Sequence, residues 1–280
     1  MNALELTGVC KHYPGFSLEN IGFSLPMGCV MGLIGENGAG KSTTIKLILD
    51  MIRPDSGDIR ILGQSGLSVG QKEQLGVVLD EGCFPEGLTA IQLGAVMRRV
   101  YREWDDAVYL GYLERFSLPP KKQFKEYSRG MKMKLGMAVA LSHHARLLIL
   151  DEATSGLDPI VRDEILDILY DFIADEQHAI LLSSHIVSDL EKLCDYITFI
   201  HRGRMLFCDE KDRLAERYGL LRCSEAELAA LPPEAVVGRR SGETGVEVLV
   251  ERAKAPTGLP LARPGIEEIM VLLSRGGRKR

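Results

Sequence analysis

Nowhere does this 280-residue chain run apolar for the ~18–20 residues a helix needs to cross a bilayer. Its opening stretch, MNALELTGVCKHYPG, lacks the basic-then-apolar layout of a secretion signal. The two absences predict a cytoplasmic chain whose membrane role, if it has one, comes through a partner. An excess of positive charge is also missing: net charge is −5, so no global basic field argues for nucleic acid. The C-terminal RGGRKR is the one local exception and is expected to be a solvated end. The six cysteines, Cys10, Cys29, Cys83, Cys194, Cys208 and Cys223, include no CxxC pair. That argues against a zinc site or a disulfide framework, and for reduced, mostly buried thiols. Internal repeats and low-complexity tracts are absent as well.

What remains is a chain that can fold around a core. Hydrophobic residues make up 45% and charged residues 26%, as in ordinary globular proteins. The length allows one large domain plus a small appendage. Strand-like and helix-like segments alternate over the first two hundred residues, which predicts an α/β architecture with a largely parallel sheet. CVMGLI (29–34), LLIL (147–150), AILLSS (179–184) and YITFI (196–200) are the short apolar runs expected of strands buried on both faces. A helix is expected from about Lys41 to Ile52, stopped by Pro54. Between roughly 85 and 145 strand signals vanish and helical periodicity takes over, so a helical insertion is expected there. Its single tryptophan, Trp104, should pack against a neighbouring helix. From about 216 to 280 a short helix, a strand, a Pro/Gly-rich connection and the amphipathic GIEEIMVLLSRG suggest a small appended α+β domain, marginal alone.

The chemistry concentrates in a few motifs. GENGAGKST (35–43) fits G-x-x-x-x-G-K-[ST] and lies between an expected strand and an expected helix. Gly35, Gly38 and Gly40 let backbone N–H groups turn toward phosphate oxygens with no Cβ in the way, and the following helix N-terminus favours an anion. Asn37, Ala39 and Thr43 belong to the same cradle. Lys41 is expected to bridge the β- and γ-phosphates, and the Ser42 hydroxyl to hold Mg²⁺. LLILDE (147–152) delivers Asp151 to the carboxyl end of a buried strand, where open α/β sheets bind ligands. Asp151 suits Mg²⁺, and Glu152 suits an attacking water that it would orient or deprotonate. SGLDP (155–159) carries Asp158 in a tight turn, and SSH (183–185) brings His185 to the same sheet edge.

In this order the motifs resemble those of the nucleotide-binding subunits of ATP-binding-cassette (ABC) transporters, over about residues 1–215. Tyr13 resembles the aromatic residue that stacks on adenine, GENGAGKST the Walker A loop and LLILDE the Walker B strand. Ser128 and Gly130 in YSRGMKMKL (127–135) match the family signature, SGLD the D-loop and His185 the switch histidine. The resemblance implies a P-loop NTPase of ABC type with a helical subdomain and a small C-terminal α+β accessory domain. It further implies two cassettes, identical or paralogous, sandwiching two ATP molecules, with Ser128 and Gly130 capping the nucleotide of the other copy. Separate transmembrane permease subunits, of the ABC-2 type, would be driven in turn, and no nucleic acid is expected.

Departures accompany the match. Tyr127, Arg129 and Met131 stand where Leu, Gly and Gln are usual, Ala153 replaces a proline, and Asp80 in LGVVLDEGCF (75–84) replaces the glutamine of the Q-loop. Asp80 is expected to reach Mg²⁺ or its water. Retention of Glu152 and His185 argues for a hydrolytic site and against a purely regulatory ATP-binding module. A soluble cassette ATPase acting on ribosomes or nucleic acid is the other alternative. It lacks support in the absent basic surface, second cassette and long coiled-coil insertion.

Overall fold

The computed structural model describes residues 1–79, 84–242 and 245–276. Two long strands, β1 (Asn2–Tyr13) and β2 (Phe16–Pro26), form an antiparallel hairpin across Pro14-Gly15. β3 (Val30–Ile34) is buried along its whole length and feeds the phosphate-type loop, which opens α1 (Lys41–Ile48). α1 stops a turn earlier than expected: Leu49 caps it, and Asp50 takes a left-handed φ of 53° that cannot continue a helix. β4 (Ser56–Ile61) then pairs with β1, β5 (Gln64–Ser65) turns back on it, and a capped single turn, α2 (Val69–Lys72), leads into β6 (Leu75–Val78).

Three helices follow, where the helical insertion is expected. α3 (Ala90–Val100) starts at a Thr89–Gln92 capping box, α4 (Asp106–Arg115) at Asp105, and α5 (Arg129–Leu141) at Ser128. Trp104 donates its indole N–H to Asp106 at 2.9 Å and tilts against Tyr109, so it serves packing. The chain returns to the sheet through β7 (Leu147–Asp151), α6 (Pro159–Ile173), β8 (Ala179–Ser184), α7 (Val187–Leu193), β9 (Tyr196–His201) and β10 (Arg204–Glu210). α8 (Lys211–Arg217) leads to β11 (Tyr218–Cys223), α9 (Glu225–Ala229), β12 (Val236–Gly242), β13 (Gly245–Glu251) and α10 (Ile266–Gly276).

The main sheet has ten strands in the order β5-β4-β1-β2-β10-β9-β3-β8-β7-β6. The run β9-β3-β8-β7-β6 is parallel, and β10 meets β2 in parallel at Arg204 and Glu19. The expectation of a largely parallel sheet is therefore corrected: the β1, β2, β4 and β5 half is an antiparallel meander. Strand periodicity sorts the core into two layers. Leu148, Leu150, Ile180 and Leu182 face α5, α6 and α7, while Leu147, Ile149, Ala179 and Leu181 face α1 and the antiparallel half. A second sheet, β11-β13-β12, carries α10 on one face and α9 on the other. Among the described residues no helix is long and apolar enough to cross a membrane. The described cysteines are free thiols, but only Cys194 is buried, against the expectation that most would be; burial pushes its thiol up.

Candidate functional site

All the parallel strands end at one edge, and a cavity of about 680 Å³ opens there. The β3–α1 loop forms one wall. Asn37, Gly38, Gly40, Lys41, Ser42 and Thr43 line it, as the motif predicts. Gly38 takes φ 78° on the open side of the loop, where a side chain would be strained rather than crowded. Gly35 and Ala39 lie beneath the wall. A Cβ on Gly35 would sit 2.3 Å from the Ile200 carbonyl oxygen, so the loop can pass β9 only as glycine. Ala39 is buried, and its N–H donates to the Glu36 carbonyl at 3.0 Å, closing the turn.

Lys41 is 6% exposed, and its ammonium donates to the Gly35 carbonyl at 2.8 Å. It also lies 3.3 Å from Oε1 of Glu152. Oε2 of the same carboxylate accepts from Nδ1 of His185 at 2.6 Å; a carboxylate is acceptor-only, so the ring nitrogen must carry the proton. Lys41, Glu152 and His185 thus form one chain along the cavity wall, an ion pair followed by a hydrogen bond. Glu152 holds a left-handed φ of 53°, rare for a residue with a side chain and typical of sites where a fixed direction matters.

Ser183 keeps that geometry. Opposite Asp151 in the β7–β8 register, it donates its hydroxyl to Asp151 Oδ1 at 2.5 Å, and its Oγ accepts from the Glu152 N–H at 3.1 Å. One hydroxyl therefore fixes both the Asp151 carboxylate and the Glu152 backbone. Sequence reasoning missed it, although the SSH triplet was the available signal. Phe16 was missed too: it lines the cavity, whereas Tyr13, its partner across the hairpin, does not.

The other expected residues stand apart from the cavity. Asp151 is buried behind its wall. Ser128 caps α5, its hydroxyl accepting from the Met131 N–H, and Gly130 packs toward Val161 and Leu157. Asp158 caps α6, accepting from the Ile160 and Val161 N–H groups at 3.1 and 3.0 Å. None of the three lines the cavity of its own chain. Asp80 lies outside the described residues.

The family model described as "ABC transporter" matches residues 18–155. The bacitracin transport ATP-binding protein BcrA of Bacillus licheniformis is 34% identical over 223 residues, which are 76% of this chain and 72% of that one. This chain belongs to the ABC transporter family. It is an ATP-binding subunit of that family and an ATPase. The lantibiotic transport ATP-binding protein SrtF of Streptococcus pyogenes is 36% identical over 70% of this chain and 85% of its own length. A solved ATP-binding subunit of an ABC transporter superposes with a TM-score of 0.67 at 28% identity, covering 76% of this chain and 92% of that one. A dimeric cassette bound to ADP and Pi has the same fold, with a TM-score of 0.67 at 18% identity over 74% of this chain and 98% of that one.

Proposed function

We propose that this cassette is the ATP-hydrolysing motor of a membrane exporter and works from the cytoplasmic face through separate ABC-2-type permease subunits. The chain Lys41–Glu152–His185 along the cavity carries the reading. Two of its relatives bear names that specify transport of bacitracin and of a lantibiotic. They favour an antimicrobial peptide over a drug or lipid-like substrate. Residues 1–215 form the nucleotide-binding domain, with a helical subdomain at about 85–145, and 216–280 the accessory domain.

The polyphosphate lies along the α1 N-terminus and competes with Glu152 for Lys41. Glu152, released toward the distal phosphate, orients and deprotonates the attacking water. His185 holds the carboxylate through Nδ1 and contacts the distal phosphate. Tyr13 and Phe16, opposite each other at the hairpin end, offer aromatic faces to adenine. Mg²⁺ fits the donors present: the Ser42 hydroxyl and the Asp151 carboxylate are hard oxygens, with Asp80 as a third candidate. When bound, the ion neutralises charge developing on the phosphates. Ser128 and Gly130, at the α5 N-terminus and away from their own cavity, serve the nucleotide of a second cassette across a dimer, with Asp158 at the same seam. Exposed Ile91, Val96, Val100 and Leu110 on α3 and α4 give a permease's cytoplasmic helix an apolar surface.

Replacing Glu152 with Gln should reduce turnover by about 10²-fold or more while ATP-driven dimerisation persists. Undiminished hydrolysis would remove Glu152 from the role of base. Recovery of the chain from membranes together with a permease is expected; recovery with ribosomes alone would overturn the exporter reading.

A further inference from the structure

Between the D-loop and the switch histidine the protein buries a charge that the nucleotide cavity does not use. Asp189 lies in the first turn of α7, four residues beyond His185, and its side chain is 3% exposed. Arg162 lies in the first turn of α6, four residues beyond Asp158, where its N–H donates to the Asp158 carbonyl at 3.0 Å. Arg162 Nε stands 3.8 Å from Asp189 Oδ2. Both atoms are buried, and neither has a hydrogen-bond partner among the described residues. The separation is about 0.9 Å beyond the usual ~2.9 Å of an N–H···O bond, so the two charges attract across a gap they do not close.

Stability alone gives such a pair little to do. Desolvating two ions takes back most of what their attraction supplies, and apolar side chains of similar volume hold a seam as well or better. Location gives it a use. The α6 residue just before Arg162, Val161, meets the signature, its Cγ1 lying 3.4 Å from where a Cβ on Gly130 would be. The α6 first turn thus touches the signature on one side and the helix of the switch histidine on the other. Farther along the same seam Lys192 lies 3.7 Å from Asp163, but both side chains are exposed and solvent screens them. Arg162 and Asp189 join the two helices at the end nearest His185, with their facing atoms out of solvent's reach.

We propose that Arg162 and Asp189 are positioning residues for hydrolysis: their buried attraction seats α7 against the D-loop helix and so fixes where His185 meets the Glu152 carboxylate. Neither lines the nucleotide cavity; both act through His185. The inference rests on the reading of Glu152 and His185 as the hydrolytic pair. It predicts that loss of the ion pair slows turnover and leaves nucleotide affinity, set at the β3–α1 loop, where it was.

The test is ATPase kinetics of the full chain, at a temperature where circular dichroism shows every variant folded. Arg162→Met with Asp189→Leu replaces the ion pair by apolar side chains of similar volume, which keeps the seam filled and removes the attraction. Its kcat should fall about tenfold, within the range of such couplings, while KM for ATP changes less than twofold. Asp189→Asn, which keeps the shape and removes the charge, gives the same reading should the double variant fold poorly. Arg162→Lys, which keeps a cation facing Asp189, should retain most of the parental kcat. Parental kcat in the apolar pair would overturn the proposal, as would a rise in KM as large as the fall in kcat. In a His185→Ala background the apolar pair should cost less than a further twofold; a further tenfold loss would overturn action through His185. His185→Ala by itself tests the underlying reading: parental turnover there removes the histidine from the hydrolytic pair, whether or not the apolar pair slows the enzyme.

Discussion

At the scale of single residues, the nucleotide loop shows how one motif conceals different constraints. Read as sequence, Gly35, Gly38 and Gly40 share one explanation, freedom from a Cβ near phosphate. The structure separates them. Gly38 is open to solvent and is glycine for its left-handed backbone. Gly35 is glycine because the Ile200 carbonyl lies against it, and that carbonyl belongs to β9, more than 160 residues away in the chain. Contacts of that kind leave no local signature, just as Ser183 could not be matched to Asp151 until β7 and β8 were seen side by side. Gly35→Ala should therefore push the loop off β9 and displace the carbonyl that anchors Lys41. We expect a loss of about 1–3 kcal/mol from overpacking together with greatly weakened ATP binding. Gly38→Ala, strained but uncrowded, should cost about 1–2 kcal/mol and leave the loop seated. Urea unfolding and nucleotide titration of both variants check this; equal effects would show that space at β9 is not the constraint.

Elements were legible in proportion to the regularity of their patterns. The fully buried parallel strands stand out as unbroken apolar runs, and the capped helices of the insertion as periodic ones. β1 does not, because register shifts between Leu6 and Val9 and between Val9 and Lys11 break its alternation, and Gly8 and Asn20 take left-handed conformations beside them. With β1 and β2 unread, the long hairpin at the centre of the antiparallel half went unseen. The connection from α5 to β7 hides another element-scale device. His143 stacks on Tyr101 at the end of α3, ring centroids 3.9 Å apart, and donates from Nδ1 to the Glu73 carbonyl at 3.0 Å. Its Nε2 is buried with no partner among the described residues, so a second ring proton would have no acceptor there.

Burial, with the neighbouring His144 adding to it, holds the His143 pKa below its usual 6.5, against the raising influence of the Glu73 carbonyl and carboxylate. The sign follows from linkage: below pH 6.5 the unfolded chain takes up the proton first, so stability falls as pH falls until the lower folded pKa is reached. His143→Phe keeps the stack and removes the titration. It should be less stable than the parent at pH 7, where Glu73 loses its donor, and that gap should narrow toward pH 5. Urea unfolding at several pH values measures it, and a gap that stays constant would mean that His143 is not the group that titrates.

The whole molecule holds what sequence reading was least able to supply, the joint between its two sheets. About 65 residues at the C-terminus read as a marginal appendage, and the amphipathic pattern of α10 says that it has a face to bury without saying where. The structure buries it on the cassette. Ile266, Ile269 and Leu272 share one hydrophobic cluster with Leu190 and Leu193 of α7, Phe207 of β10 and Leu214 of α8. The Ile266 N–H donates to the Glu191 carboxylate at 3.0 Å, and Lys211 reaches the Glu191 carbonyl at 2.7 Å. α7 follows directly on His185, so the accessory segment rests on the element that positions the switch histidine. Removing the buried side chains of α10 should consequently destabilise the cassette and not only its tail. Ile269→Ala with Leu272→Ala deletes two fully buried aliphatic side chains, worth about 2–5 kcal/mol each in such cores. Trp104, the only tryptophan, reports from the helical subdomain at the far side of the chain's topology. Its fluorescence transition in urea should move to lower denaturant in the double variant if both sheets unfold as one cooperative unit. A Trp104 midpoint left where it was, with the circular-dichroism loss split into two steps, would make residues 216–280 an independently folding body and α10 a contact without mechanical consequence.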